Sequence, residues 1–386
     1  MFSARLPAEL DVNRTTLARE RVGSYLDLTE SNPTRAGFAY PTGILAPLAG
    51  PDALRYEPHP CGLPAGREAV AADYRRRGVT VPADRIVLTA STSEAYSLLF
   101  KLLCDPGDEV LVPRPGYPLF DHLTRLDVVT PVPYDLAYEG AWRVNLDSLS
   151  RGLTDRTRAV LVVSPNNPTG SVATAEDLAA VDRICAPRGV AVIGDEVFAD
   201  YRFDDGRPGP SVLDAPQALT FGLGGLSKSV GLPQVKLAWL AGGGPDAQVR
   251  SALERLAIIA DAYLSVSTPV QVAAGHLLTA GAAVREQMIA RVRANRRYLA
   301  DAVARHPSST LLHAEAGWSA VVQVPAMVDE EALVLELLER RGVLVHPGYF
   351  FDFPREAFLV VSLLVGAETF RAGVDRALGH VEEMIP

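Results

Sequence analysis

The sequence predicts an α/β protein with a largely parallel sheet, and two observations indicate this fold class. Short apolar segments rich in β-branched residues recur through the middle of the 386-residue chain, each bounded by Gly, Pro, Asp or Asn. Helical patterns such as "EAYSLLFKLLC" and "AEDLAAVDRICAPRG" lie between several of these segments. Because strands that alternate with helices pair in parallel, we expect one sheet built from the segments 85–90, 109–113, 159–165, 190–198, 218–224 and 235–243.

The pattern changes after about residue 245, where long arginine-rich helical segments run to about residue 305. The strand pattern "SAVVQVP", a helix at 329–341, the strand pattern "FLVVSLL" and a helix from residue 367 then follow. This order predicts a smaller α+β unit, and we expect the first forty residues to pack on it because they precede the sheet. The predicted domains are a large domain, residues 43–284, and a small domain formed by residues 1–42 with 285–386.

Composition argues against several classes of protein. The formal net charge of −9 disfavours nonspecific nucleic-acid binding. The sequence has no run of 18 or more apolar residues, so it predicts no membrane span. The charged N-terminal segment does not resemble a secretory signal. The three scattered cysteines form no Cys-x-x-Cys or Cys/His cluster, so we expect reduced thiols and no metal site. These features predict a cytoplasmic protein.

A Ser/Thr-rich turn after the segment 85–90 opens a helix. Ser91 and Glu94 fit the capping box S-x-x-E, so we expect Ser91 at the N-cap. The free N–H groups and the dipole of such a helix start favour an anion, and the hydroxyls of Thr92 and Ser93 add donors. A helix cap without any ligand is the alternative.

Two polar residues follow later strands of the predicted sheet. Asn167, in "VVSPNNPTGS", lies beyond a strand end, where open α/β sheets bind ligands, although a plain turn explains it equally well. Asp195, in "VIGDEVFADY", ends an apolar strand. Its carboxylate needs a partner because an unpaired buried charge is costly, and either a protonated ring nitrogen or a nearby arginine would serve.

Lysine is rare in this chain, with only three among 37 basic residues. Lys228 and Lys236 both lie in "LSKSVGLPQVK". An arginine does not readily become a neutral nucleophile, whereas a lysine amine can form a Schiff base with an aldehyde. Lys228 lies in a loop of small residues that a bulky ring could approach. A surface lysine is the usual alternative, but it is a weaker one in a chain that has nearly eliminated lysine.

Taken in order, these motifs resemble the pyridoxal-phosphate (PLP) enzymes of fold type I, and among them the class I/II aminotransferases. The resemblance covers almost the whole chain. It includes the segments "SNPT" (31–34), "YEPHPCGLPAGREAV" (56–70), "DPGDEVLVPRPGYP" (105–118) and "RRGVLVHPGYFF" (340–351). It implies a three-layer large domain that binds PLP on a mostly parallel sheet, together with a smaller α+β domain.

The resemblance also implies roles for individual residues. Lys228 would bond the PLP aldehyde and later move a proton, and Asp195 would pair with the pyridinium nitrogen. Asn167 would donate to the phenolic oxygen O3′, and Tyr117 would stack on the ring. Tyr56 resembles a tyrosine that reaches the phosphate from the neighbouring subunit, which implies a homodimer. The residues implied around the phosphate are Ser91, Thr92, Ser93, Ser227 and Lys236.

The sequence departs from the family at two cofactor-binding positions. Phe198 stands where the family commonly has a tyrosine that donates to O3′. Loss of this donor should make the lysine–cofactor bond hold its proton more tightly, unless Tyr201 or Tyr263 supplies another donor. Gly225 stands where a phosphate-binding serine often occurs.

The third departure concerns the substrate. Val360, in "AFLVVSLLVG", stands where the family usually has an arginine that clamps the substrate α-carboxylate, and a valine cannot pair with a carboxylate. We expect Arg35, just after "SNPT", to replace it, with a surface arginine as the alternative.

The resemblance predicts an aminotransferase that moves an amino group from a donor to a keto acid by a ping-pong cycle. A PLP-dependent β/γ-eliminating lyase, or another quinonoid-diverting PLP enzyme, is the alternative, because it would share Lys228 and Asp195. A PLP-sensing regulator is the third interpretation. It would need a DNA-binding module before the PLP fold, but only about 25 residues precede the first family-like segment.

Overall fold

A computed structural model describes residues 2–7, 9–204 and 209–385 of the chain. Its strands are β1 (Leu26–Asp27), β2 (Ile86–Thr89), β3 (Glu109–Arg114), β4 (Thr130–Tyr138), β5 (Trp142–Val144), β6 (Thr157–Val163), β7 (Ala191–Asp195), β8 (Thr220–Gly225), β9 (Ala238–Gly243), β10 (Thr310–Leu311), β11 (Ser319–Gln323), β12 (Val343–Leu344), β13 (His346–Pro347) and β14 (Phe358–Ser362). Its helices are α1 (Arg14–Val22), α2 (Pro64–Arg76), α3 (Thr92–Leu103), α4 (Leu119–Leu126), α5 (Leu146–Gly152), α6 (Ala175–Cys185), α7 (Leu226–Ser229), α8 (Asp246–Asp261), α9 (Thr268–Ala280), α10 (Ala282–Ala304), α11 (Glu330–Arg341) and α12 (Ala367–Glu383).

The larger sheet has eight strands in the order β2-β9-β8-β7-β6-β3-β4-β5. Strands β8, β7, β6, β3 and β4 are parallel, and β9 is antiparallel to both of its neighbours, β8 and β2. It follows that β2 runs in the same direction as β8. The α/β fold with a mostly parallel sheet is therefore confirmed, and the carboxyl ends of β2, β3, β6, β7 and β8 meet at one edge.

The central strands are buried on both faces, which explains why they are apolar throughout. Every residue of β7 and β8 is buried, as expected when helices cover both faces of a parallel sheet. Space is so limited that a Cβ at Gly194 would lie 2.3 Å from a methyl group of Val212. The glycine is therefore required for close packing at the strand that ends in Asp195.

A smaller antiparallel sheet, in the order β10-β11-β14-β13, forms the second unit. Its core combines residues of α10, α11 and α12 with Leu28 and Ala36, and β1 pairs with β12. The N-terminal segment thus packs on the C-terminal unit. The same core includes Phe198 and Tyr201, so the two units share packing and the exact domain limits remain a prediction.

Asn295 on α10 connects that helix to the segment after β14. Its amide nitrogen donates to the carbonyl oxygens of Leu363 and Val365, at 2.9 and 2.8 Å, inside the core. Among the described residues, no helix combines the length and apolarity needed to cross a membrane.

Replacing Asn295 with alanine should lower the free energy of unfolding by about 2 kcal/mol, because the buried carbonyl oxygen of Leu363 loses its donor and that of Val365 keeps only the longer bond from Arg291, at 3.3 Å. The shift of the urea midpoint, followed by fluorescence, measures this loss. Arg297→Ala, at an exposed position of the same helix, is the control and should change stability by less than about 0.5 kcal/mol. Equal effects of the two substitutions would contradict the assignment.

Candidate functional site

The carboxyl edge of the large sheet gathers most of the residues that the sequence predicts for the site. Asn167 follows β6, Asp195 ends β7, and Lys228 lies on α7 directly after β8. Val163 pairs with Asp195, and Asp195 pairs with Leu223, so these strand ends are in register. Parallel pairing therefore brings an amide, a carboxylate and an amine to the same edge.

Lys228 presents its amine to two aromatic rings. Its Nζ lies 4.7 Å from the ring centroid of Trp318 and 5.6 Å from that of Phe198. Burial lowers the pKa of Lys228 to about 8, although the nearby carboxylate of Asp195 acts to raise it. Within the part of the chain that the structure describes, this amine has no hydrogen bond or ion pair. At pH 7 about a tenth of this amine is then an unprotonated nucleophile, far more than for a lysine with the ordinary pKa.

Asp195 is a buried carboxylate held by two donors. The hydroxyl of Tyr96 donates to Oδ2 at 2.8 Å, and the backbone N–H of Val197 donates to Oδ1 at 3.2 Å. Burial raises the pKa of Asp195, while these two bonds and the charge of Lys228 act to lower it. No ion pair among the described residues joins Asp195 to an arginine, so the arginine alternative is not supported. The carboxylate is arranged to stabilise a cation at the sheet edge.

Two adjacent asparagines after β6 have different roles. Asn166 is satisfied within the turn, because its Oδ1 accepts from the backbone N–H and hydroxyl of Thr169 and its amide donates to the carbonyl oxygen of Pro115. Asn167 is only partly buried, and its Oδ1 accepts from the hydroxyl of Ser319 at 3.1 Å. The Asn167 amide nitrogen has no partner among the described residues. It is therefore available to donate to a ligand.

The N-terminus of α3 carries the features of the anion site that the sequence predicts. Ser91 is the N-cap, as predicted, with its hydroxyl accepting from the N–H of Glu94 at 3.1 Å. The Glu94 carboxylate accepts from the N–H of Ala90 instead of that of Ser91, so the reciprocal bond of the capping box is displaced by one residue. Thr92 and Ser93, both partly exposed, begin the first turn, whose N–H groups lack helical partners.

Strand pairing brings the remaining predicted phosphate contacts to this anion site. Ala238 of β9 pairs with Thr89 on one side and Gly225 on the other. Lys236, exposed just before β9, and Ser227, partly exposed on α7, therefore lie at the same edge as the start of α3. Their contacts with a phosphate remain a prediction.

The two predicted tyrosines lie in different places. Tyr117 follows β3 and is 45% exposed, and the preceding Gly116 donates its N–H to the carbonyl oxygen of Phe351 at 3.0 Å. Tyr56 is 74% exposed and lines a groove with Glu94 and Tyr263. Tyr117 is thus at the sheet edge, whereas Tyr56 lies in a groove that includes Glu94 of α3.

The cofactor-site departures have structural explanations. The Phe198 ring is buried beside Lys228. Tyr201 does not take the place of the missing donor, because its hydroxyl donates to the backbone oxygen of Lys228, and Tyr263 lies in the groove beside Tyr56. A side chain at Gly225 would crowd β9, since its Cβ would lie 3.0 Å from the Cβ of Ala238.

Val360 offers no substitute for the clamping arginine. It is buried in β14, where it pairs with Val321 and His346. Because side chains alternate along a strand, Val360 shares a sheet face with the position that pairs with Ser319, the residue that contacts Asn167. The side chain at this position therefore belongs to the site-facing surface but is apolar.

Arg35 lies near β14 because its neighbour Glu30 is bonded to the end of that strand. Its Nε forms an ion pair with Glu30 at 3.2 Å, and the carbonyl oxygen of Glu30 accepts from the hydroxyl of Ser362 at 2.6 Å. The guanidinium is exposed, and among the described residues no hydrogen bond or ion pair joins it to Lys228. The segment that carries Arg35 therefore lies at the end of β14, and the role of Arg35 remains a prediction.

Sequence reasoning missed Tyr96, Trp318 and Ser319. Tyr96 lies one turn after Thr92 on α3, so the helical spacing was a usable signal that both face the sheet edge. Trp318 and Ser319 come from β11 and the residue before it. Their contacts with Lys228 and Asn167 depend on how the second unit packs, which no local pattern indicates.

The site residues fit PLP in their chemistry. Asp195 is a buried carboxylate and Lys228 is an amine of lowered pKa. Among the described residues, Asp195 pairs with no arginine and the Asn167 amide nitrogen has no acceptor. The start of α3 supplies N–H groups and hydroxyls suited to a phosphate. These groups match the ring nitrogen, aldehyde, phenolic oxygen and phosphate of the cofactor in turn.

Comparisons with known proteins agree with this fit. The family model described as "Aminotransferase class I and II" matches residues 26–376. The alanine aminotransferase of Mycobacterium tuberculosis (strain H37Rv) is 28% identical over 399 residues, covering 97% of this chain and 89% of that protein. The glutamate-pyruvate aminotransferase AlaA of Escherichia coli (strain K12) is 30% identical over 258 residues, covering 65% and 63%. The solved alanine aminotransferase from Pyrococcus furiosus has a TM-score of 0.90 at 24% identity, covering 99% of this chain and 100% of that chain.

The amine of Lys228 should titrate with a midpoint near pH 8 in protein freed of any bound aldehyde, because burial disfavours the ammonium. Competitive acetylation across the alkaline range, read by peptide mass spectrometry, follows each of the three lysines separately. Asp195→Asn should move the Lys228 midpoint lower, since the carboxylate stabilises the ammonium. An unchanged midpoint in that variant would show that the two groups do not interact.

Proposed function

This chain belongs to the class I and II aminotransferase family, whose members depend on PLP, and from that premise we propose that it transfers an amino group from an amino donor to a keto acid by a ping-pong mechanism. The observation that carries the proposal is the pairing of a reactive amine, Lys228, with the buried carboxylate of Asp195 at one sheet edge. Both groups are ready for the cofactor before any substrate binds.

Each site residue has a proposed task. When bound, PLP supplies an electron sink that accepts charge from the substrate's α-carbon. Lys228 holds the cofactor through its amine and, when free, takes the proton from that α-carbon as a general base. Asp195, oriented by Tyr96, keeps the ring nitrogen protonated, and Asn167 donates to O3′.

The remaining cofactor contacts are proposed from their position at the sheet edge. Tyr117 stacks on the ring from its exposed place after β3. The phosphate lies at the start of α3, where backbone N–H groups and the helix dipole favour an anion. Its side-chain partners are Ser91, Thr92, Ser93, Ser227 and Lys236.

We propose that the enzyme is a cytoplasmic homodimer in which Tyr56 reaches the neighbouring phosphate. Tyr56 is highly exposed and lies in a groove that includes Glu94 of α3. A tyrosine so exposed beside a groove is suited to contact a second subunit.

We also propose that Arg35 binds the carboxylate of the substrate. Val360 is apolar and buried, so the strand position of the usual clamp supplies no charge. Arg35 has an exposed guanidinium on a segment bonded to the end of the same strand. The relatives are named for alanine, glutamate and pyruvate, which makes L-alanine and L-glutamate the first donors to examine.

Incubating the holoprotein with an amino donor and no acceptor should convert the cofactor to pyridoxamine phosphate once per active site. Absorbance spectra and product chromatography measure the conversion. Ammonia released over many turnovers would indicate elimination and contradict the proposal. Borohydride reduction followed by peptide mapping should place the cofactor on Lys228, and Lys228→Ala should abolish both signals. A cofactor adduct on Lys101 would be inconsistent with the assignment.

Arg35→Ala should raise KM for the amino donor by about 10- to 100-fold, because a charge-assisted hydrogen bond is lost. PLP content, measured by absorbance, should not change. Arg21→Ala is the matched control, since Arg21 is also an exposed arginine paired with a glutamate. If KM is the same in both variants, another group binds the carboxylate.

A further inference from the structure

Trp318 lies directly beside the reactive amine of Lys228. The amine is 4.7 Å from the centroid of its ring and faces the edge-packed ring of Phe198 at 5.6 Å. The charge of Asp195 also acts on this amine, although no ion pair among the described residues joins the two groups. Two aromatic rings therefore lie beside Nζ.

The position of Trp318 is set by both units of the protein. Its carbonyl oxygen accepts from the N–H of Leu363 at 2.7 Å, and the preceding Gly317 donates to the carbonyl oxygen of Tyr201 at 2.9 Å. Its ring packs edge-on against Phe198 at 5.3 Å and Tyr201 at 5.0 Å. With an exposure of only 3%, the indole is enclosed by closely packed neighbours.

Lys228 is attached to this aromatic cluster (Phe198, Tyr201 and Trp318) at both of its ends. The hydroxyl of Tyr201 donates to the backbone oxygen of Lys228, while the ring of Trp318 lies under the side-chain nitrogen. A ring face attracts an ammonium, whereas an apolar side chain that only excludes water disfavours it. These two effects of a neighbouring aromatic residue have opposite signs and can be separated by substitution.

We propose that Trp318 is a positioning residue that holds the Lys228 amine over its ring whenever that amine is not bonded to the cofactor. The amine then waits at a defined place beside Asp195 instead of rotating among several rotamers. The use of this position of the amine for proton transfer rests on the proposed function. The position itself depends only on contacts within the chain.

The test is competitive acetylation of Lys228 across the alkaline range in the PLP-free full-length chain. Trp318→Leu should lower the titration midpoint by about 0.5–1 pH unit, because the attraction of the ring is lost while an apolar neighbour remains. Trp318→Phe should lower it less, since a smaller ring remains. Trp142→Leu is the matched control. Trp142 is also buried between two aromatic rings, and its indole N–H has no hydrogen-bond partner among the described residues, but it lies away from Lys228. Trp142→Leu should therefore leave the Lys228 midpoint unchanged.

A rise of the midpoint in Trp318→Leu would mean that Trp318 only excludes water, and no shift would mean that it does not act on the amine; either result overturns the proposal. If Trp318→Leu does not fold, the sign of the shift in Trp318→Phe decides. In the holoenzyme, Trp318→Leu should slow the donor half-reaction about 10-fold with little change in KM. Should the wild-type protein convert no donor, the proposed function fails, whereas the acetylation result still decides the role of Trp318.

Discussion

The electrostatic relation between Lys228 and Asp195 is the constraint on which the rest of the site depends. Each group is placed where water solvates it poorly, so burial acts to neutralise both. Hydrogen bonds from Tyr96 and Val197 stabilise the carboxylate, whereas the Lys228 amine lies against aromatic rings. Because no described arginine neutralises Asp195, a cationic ring nitrogen is the partner that its surroundings favour.

Parallel strand pairing is what makes this relation possible. Residues that are far apart in the chain end neighbouring strands in register, so they lie at the same edge of the sheet. The antiparallel strand β9 has a different role, since it pairs with β2 and β8 and delivers Lys236 between their ends. One edge of the sheet thereby collects acidic, basic and helix-terminal groups suited to the two ends of one cofactor.

The smaller unit completes the site from the other side. Strand β11 and the residue before it bring Ser319 to Asn167 and Trp318 to Lys228, and Phe351 receives a hydrogen bond from Gly116 beside Tyr117. The core of this unit includes Phe198 and Tyr201 from the segment after β7. A change in the packing of the two units would therefore change the side chains that surround the Lys228 amine.

The sequence by itself determined the strands, the helices and the residues at strand ends, because strand and helix periodicity and capping are local properties. Each of the six predicted strand segments contains or overlaps an observed strand, and Ser91 caps α3 as its spacing indicates. Only the tertiary structure decided the surroundings of those residues. The hydroxyl of Tyr201 on the Lys228 backbone and the ring of Trp318 under the Lys228 amine both join residues that only the packing of the folded chain brings together. Such contacts depend on the distance between side chains after folding, and sequence separation does not encode that distance.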